Sequence, residues 1–508
     1  MTMTAPLKSD VRWRFEQYIG GTWRPSVSGK RRQVIDPATA TVVGDVADGG
    51  IADVEAAVAC ARTAFDEGPW AGLDVRSRVR ALQPAIDYLV ENQDALLEAE
   101  IAECGSPIKT ASALHVGFAL AHSQYFLDMA PSVRLEQPLG FHSPPFSVSH
   151  VVREPEGVVA AITPFNFPLL LAVWKVIPAL LMGNSVVLKP NPRTPLSAML
   201  LAEALSRTDL PPGQFNVVTG DVEVGQYLVE SALVDHVTFT GSTGVGRSVA
   251  AGAAQTLKNV TLELGGKSPS VILPDADFDL VVDGVLFGVN FYAGQCCEAG
   301  SRVFVPRGRE EELIDRLVRR AATIRLGDTR NPQTDLGPVI SAEKAAELER
   351  VVNDAAAAGA TVACGGRRAD IGDGYFFQPT VIHNVNNDMP IARQELFGPV
   401  LSVIGYDSVD DAVRLANDTI YGLAATVWST NMVNAYEISR RLRAGTVWIN
   451  DHHQLRPDAP FGGYRQSGIG RELGDDGFLD FTEAKHIYMS LTNDRQSRFW
   501  SLILPAEE

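Results

Sequence analysis

Cysteine is scarce in this sequence: five in 508 residues, scattered at Cys60, Cys104, Cys296, Cys297 and Cys364. So sparse and odd a set excludes a disulfide framework and shows no metal-ligand spacing, which leaves reduced thiols free to react. Basic charge is short as well, with 44 Lys and Arg against 61 Asp and Glu and a net charge of -17. A nucleic-acid surface needs concentrated cations to neutralise phosphates, so no nucleic-acid partner is expected. Long apolar runs are missing too. The richest, 167 to 183, is broken by Lys175 and Pro178 and is too short to cross a bilayer. The opening MTMTAPLKSDVRWRF lacks the apolar core of a secretory signal. These absences predict a cytoplasmic protein with no membrane partner.

What is present is ordinary globular composition, 45% hydrophobic and 21% charged, in a chain too long for one compact core. The usual length prior allows about three domains or fewer. Residues 53 to 66 read as an Ala-rich helix with Asp53 as its N-cap, and 77 to 103 as further helix, making the N-terminal part mostly helical. From 157 the runs GVVAAI, SVVLK, FNVVTG and HVTFTG read as strands, with helices over 169 to 182 and 195 to 207. Such alternation is the pattern of βαβ units on a parallel sheet. The tail carries an apolar patch, Phe499, Trp500, Leu502, Ile503 and Leu504, which docks either on a neighbouring subunit or on its own chain.

Four short stretches carry chemistry. NFYAGQCCEAGSR, 290 to 302, sets Cys296 and Cys297 side by side near Gly294 and Gly300. A thiol is a nucleophile only as thiolate, and at a pKa of ~8.5 it needs help from its surroundings. Local residues alone favour a buried, inert pair. TLELGGKSP places Glu263 at a strand end, where a carboxylate in a dry site serves as general base and in a wet one is only a charged terminus. TPFNFPLL places Asn166 in a loop stiffened by Pro164 and Pro168, an amide able to donate to an oxyanion or simply to satisfy a turn. FTGSTGVG, with Gly241, Gly244 and Gly246, joins a strand to a helix, where a pyrophosphate could rest on the helix N-terminus. Its spacing is not the usual G-x-G-x-x-G.

Taken in order, PFNFP, LKPNPRTPLSA, FTGSTGVG, LELGGKSP, GQCCEAGSR, QELFGPV and PFGGYRQSGIGRELG closely resemble the aldehyde dehydrogenase superfamily, over about Tyr18 to Ile487. The resemblance implies an α/β fold with a Rossmann-like cofactor domain (11 to 136 and 156 to 265), an α/β catalytic domain (266 to 478) and a small oligomerisation hairpin with a tail (137 to 155 and 479 to 508). A homodimer or homotetramer follows from such a bridging element.

The same resemblance assigns roles. Cys297 matches the nucleophile and Cys296 a variable neighbour. Asn166 matches the oxyanion donor, and Glu263 the base that activates water to hydrolyse a thioester. Lys175 and Glu472 match a proton path. Lys189, Gly241, Ser242, Gly246, Glu395 and Phe397 match cofactor-binding positions, and the implied cofactor is NAD. Pro192 replaces a carboxylate carried by many NAD-preferring relatives, which leaves NADP open.

Phe165, Phe167, Trp174, Phe291, Tyr292 and Leu455 match or neighbour the substrate tunnel, and their apolar character implies an aliphatic or aromatic aldehyde as the small-molecule partner. Glu298 is charged where the family is more often small or neutral. It either points away, solvated or ion-paired, or faces the tunnel and disfavours acidic aldehydes. His452 and His453 lie adjacent without a third ligand at metal spacing, so no metal is assigned. Rival readings are a CoA-acylating semialdehyde dehydrogenase and a non-catalytic binding or structural protein on the same fold; the presence of Glu263 favours hydrolysis over transfer to CoA.

Overall fold

The computed structural model describes residues 12–143 and 145–504. The first eleven residues of the N-terminal stretch and the last four of the tail lie outside that range.

The buried β-branched runs found in the sequence pair as one parallel sheet. Asn259–Glu263, His236–Thr240, Val158–Ile162, Ser185–Lys189 and Phe215–Val217 lie side by side in that order, all parallel. Val158–Ile162 and Ser185–Lys189 are buried throughout, as strands covered on both faces must be. The strand order reverses between Val158–Ile162 and His236–Thr240. At such a switch point the loops leaving the two strands diverge and open a crevice. Antiparallel edges complete the sheet: Gln17–Ile19 and Thr22–Arg24 on one side, Gly468–Ile469 on the other. That last strand comes from the segment assigned by sequence to the second domain.

A second sheet runs Thr361–Cys364, Thr380–His383, Val400–Tyr406, Arg302–Pro306, Pro269–Ile272, Ala424–Trp428, Thr446–Ile449, parallel except at its first edge. Thr482–Ser490, Ser147–Pro155 and Glu136–His142 form a separate antiparallel sheet, from the segments that the sequence reading set apart from the two larger domains.

Several local expectations are corrected. The N-terminal part does not begin helical: residues 13 to 47 supply five strands before the first helix, Ile51–Glu67. Asp53 is not that helix's N-cap. Gly50 is, and Asp53 at the third helical position accepts from the Gly50 and Val27 N–H groups, the acidic half of a capping box. The helix read over 77 to 103 is present as two elements, Val75–Glu91 and Gln93–Cys104, divided at Asn92, whose amide turns back onto the Tyr88 carbonyl. In the tail, Phe499, Trp500, Leu502, Ile503 and Leu504 are all exposed, so the patch does not pack away on its own chain.

Candidate active site

Two loops leave the switch point and line one cavity of about 800 Å³. The first follows Val158–Ile162 and carries Phe165 and Asn166; Pro168 then starts the helix Pro168–Leu181 with its fixed φ. The second follows His236–Thr240, where Ser242 caps the helix Thr243–Ala253 by accepting from the Val245 N–H at 3.4 Å. Positive partial charge at that helix N-terminus favours an anion there. Lys189, Gly241, Ser242, Glu263, Cys297, Glu395 and Phe397 line the same cavity. Gly246 does not. It is buried where any side chain would collide with Leu264, so its role is close helix-to-sheet packing.

Cys297 enters from the second sheet's side. Between the helix Phe278–Asn290 and the strand Arg302–Pro306, Tyr292, Ala293 and Gly294 adopt three successive left-handed conformations, with φ of 47°, 53° and 70°. Two of these are not glycine, so the turn stores strain beside the nucleophile. Gly265 and Gly266 make room for it: a side chain on Gly266 would strike the Cys297 carbonyl, and one on Gly265 the Glu395 carboxyl. Cys296 is buried while Cys297 is only half-buried and faces the cavity.

Glu298 determines the surroundings of both thiols. It is buried and ion-paired to His453, so the solvated alternative is excluded. Its Oε1 accepts from Cys296 Sγ at 2.9 Å and its Oε2 from Cys297 Sγ at 3.1 Å. Burial opposes its charge, but the His453 ring and the two thiols outweigh this and hold the carboxyl well below the usual range. Burial, and then the Glu298 charge, push the Cys297 thiol well up.

Asn166 is buried and donates one amide hydrogen to the Gln295 carbonyl at 3.0 Å, which fixes the amide beside the Cys297 loop. Neither oxygen of Glu263 has a hydrogen-bond partner among the described residues. Burial first, and the Glu472 charge second, raise its carboxyl well above the ordinary value, against the pull of Lys175 and Arg471. Lys175 donates to Glu472 and, at 3.1 Å, to Thr238 Oγ1, so the residues matched to a proton path form one buried chain beneath Glu263.

Lys189 and Glu395 bear on the cofactor. Lys189 is buried, with the Pro190 carbonyl at 3.5 Å as its only hydrogen-bond partner among the described residues, and burial lowers its ammonium to about 8. Glu395 accepts from the Gly266 N–H at 3.2 Å and is pushed up to about 7 by burial. A cavity of about 800 Å³ lined by a helix N-terminus, a buried lysine and a thiol has room and charge for a dinucleotide. Sequence reading missed Asp221, Arg193, Gln226 and Ser248 in this lining; Arg193 stands within LKPNPRTPLSA without an assigned role, and the other three stand outside any motif.

The aromatic residues divide. Phe165 belongs to the cofactor cavity, edge-on to Phe397 at 5.6 Å. Phe167, Phe291 and Tyr292 pack with His115 and His453. Tyr292 is core, its hydroxyl donating to the Cys104 carbonyl at 3.0 Å. Trp174 donates from Nε1 to His122 at 2.9 Å and stacks on it. Leu455 and Cys297 border this apolar cluster. His452 and His453 point apart: His452 contacts Thr426 and Trp448, whereas His453 reaches Glu298.

Comparison with known proteins agrees with this geometry. The aldehyde dehydrogenase family model matches residues 23–487. A betaine aldehyde dehydrogenase of Bacillus subtilis is 38% identical over 93% of this chain and 96% of its own. A geranial dehydrogenase of Castellaniella defragrans is 39% identical over 93% of this chain and 98% of its own. Among solved structures, betaine aldehyde dehydrogenase from Staphylococcus aureus in complex with NAD+ superposes with a TM-score of 0.92 at 39% identity, covering 94% of this chain and 95% of that one.

Proposed function

The chain belongs to the aldehyde dehydrogenase family, NAD(P)-dependent enzymes, and from that premise we propose that it oxidises an apolar aldehyde to the carboxylic acid through a covalent adduct on Cys297. The observation that carries this reading is that Cys297, Asn166 and Glu263 line one cavity while Cys296, next in sequence, is sealed from it.

Cys297 gives up its proton and its sulfur attacks the aldehyde carbon, forming a thiohemiacetal. Asn166, held by the Gln295 carbonyl, directs its remaining amide hydrogen to the developing oxyanion, a donor of a kind worth about 10²–10³ in rate. When bound, NAD(P)+ supplies the hydride acceptor that takes the adduct to a thioester. Ser242 and the helix behind it would hold the pyrophosphate, Lys189 the adenosine ribose, and Glu395 and Phe397 the nicotinamide end. Glu263 removes a proton from water for hydrolysis. Its dry setting makes it basic enough for that task, and the Lys175–Glu472 pair lies next along the proton's way out.

The apolar cluster bordering Cys297 supports an aliphatic or aromatic substrate. The buried Glu298 carboxylate beside the thiol works against aldehydes that carry a carboxylate of their own.

Initial rates of reduced-nicotinamide formation, with NAD+ and with NADP+, across apolar and carboxylate-bearing aldehydes test the proposal. Cys297→Ala should abolish turnover and Cys296→Ala should retain most of it; turnover surviving in Cys297→Ala would refute the mechanism.

A further inference from the structure

Beside the nucleophile stands a set of donors that the oxidation does not use. Cys296, Glu298 and His453 are at most 4% exposed, and a sulfur, an oxygen and a nitrogen from the three lie within 4.8 Å of one another. Cys296 Sγ and His453 Nδ1 both bond the same oxygen of Glu298, so protons now occupy the space between the donors. The donors come from segments 155 residues apart, which is why adjacent histidines in the sequence gave no sign of the site.

We propose that Cys296, Glu298 and His453 form a site for a thiophilic divalent cation of the zinc class, with Cys297 as fourth donor. Thiolate, carboxylate and imidazole are the donors that zinc takes in tetrahedral coordination. On binding, the S–H protons of Cys296 and Cys297 and the proton shared by His453 and Glu298 leave to solvent, and metal bonds form in their place. Two thiolates and one carboxylate then carry three negative charges to the ion's two, and the excess falls at Cys297, which lines the open cavity.

Further observations support the assignment. His453 has a φ of 61°, a left-handed backbone rare outside glycine, and its ring is clamped by Phe118, Phe167 and Phe291, so the imidazole is fixed toward Glu298. Cys297 Sγ lies outside the three-donor group but 3.1 Å from the other Glu298 oxygen and on the cavity through which an ion would enter, so a turn of its side chain brings it to the open position. The comparable group Glu100, Cys104 and His115 differs on this point. Its Glu100 already accepts from the Leu169 N–H at 3.1 Å, and none of the three lines the cavity.

The functional consequence, which rests on Cys297 being the nucleophile, is reversible inhibition: a sulfur bonded to the metal cannot attack an aldehyde. Full-length enzyme stripped by a chelator and titrated in buffered free zinc should take up one ion per subunit and lose activity, with full recovery on chelation. Magnesium at the same concentrations should do nothing. Cys296→Ala and His453→Asn should each need at least about tenfold more free zinc for half-inhibition. Cobalt substitution gives a readout independent of turnover: thiolate-to-cobalt charge-transfer and tetrahedral ligand-field bands, kept in Cys297→Ala and lost in Cys296→Ala. Unchanged zinc sensitivity in both ligand variants, or cobalt bands that vanish only with Cys297, would overturn the site, while leaving the aldehyde-oxidising role of Cys297 to its own test.

Discussion

A single residue, Glu298, decides how the nucleophile rests. Its carboxylate accepts the Cys297 thiol hydrogen and places a negative charge where thiolate charge would form. Burial raises the Cys297 pKa most and these two effects add to it, so the reactive fraction grows only as pH rises. Glu298→Gln removes the charge. In chelator-treated enzyme without cofactor, Cys297 of that variant should be alkylated faster at neutral pH, by roughly threefold for each unit the thiol pKa falls, since a roughly tenfold gain in thiolate is partly offset by its weaker nucleophilicity, and its alkylation profile should move to lower pH. An unmoved profile would remove Glu298 from the account. The sequence showed Cys297, Asn166 and Glu263 as candidates because each stands in a short motif. It could not show what Glu298 faces, because its partner His453 reaches it only through folding of a distant loop. Gly246 misled in the opposite way: it stands inside the glycine-rich motif, yet its lack of a side chain serves packing against Leu264.

Among the elements, the helix Gln93–Cys104 does more than fill space. From it Glu100 accepts the Leu169 N–H at the start of Pro168–Leu181, the helix that follows Asn166, and Glu103 accepts the Ser197 N–H at 2.9 Å and the Leu196 N–H at the start of Leu196–Leu205. Two buried carboxyls thus satisfy the orphan donors of two other helices. Glu103→Ala should lower stability by roughly 1–2 kcal/mol, read as a fall in the apparent melting temperature, with Glu103→Gln losing less because an amide oxygen still accepts. Equal losses in the two variants would show that the cap is not what Glu103 provides. The parallel strands were legible as buried β-branched runs bounded by turns. The short N-terminal strands were not, since three-residue edges such as Thr22–Arg24 are too brief to display a period. Helix over 77 to 103 was legible too, but not the break at Asn92, because an isolated Asn interrupts a pattern otherwise continuous across it.

At the scale of the whole molecule, the antiparallel sheet leaves Phe141, Phe146, Ile487 and Tyr488 exposed, and the tail leaves Phe499 and Ile503 exposed, large apolar side chains of the kind that mark an interaction surface. The account predicts a homo-oligomer held by this sheet, and Phe141→Asp should shift the sedimentation profile toward smaller species; an unchanged profile would place the interface elsewhere. No helix among the described residues is long and apolar enough to cross a membrane. The central claim, an acyl group carried by Cys297 and released by Glu263, is tested most directly by the intact mass of the Glu263→Gln variant after mixing with NAD+ and an apolar aldehyde. The prediction is that each active subunit gains the mass of the aldehyde less one hydride and one proton, located by peptide mapping on Cys297. The same gain on Cys296, or reduced nicotinamide formed with no adduct on either cysteine, would contradict it.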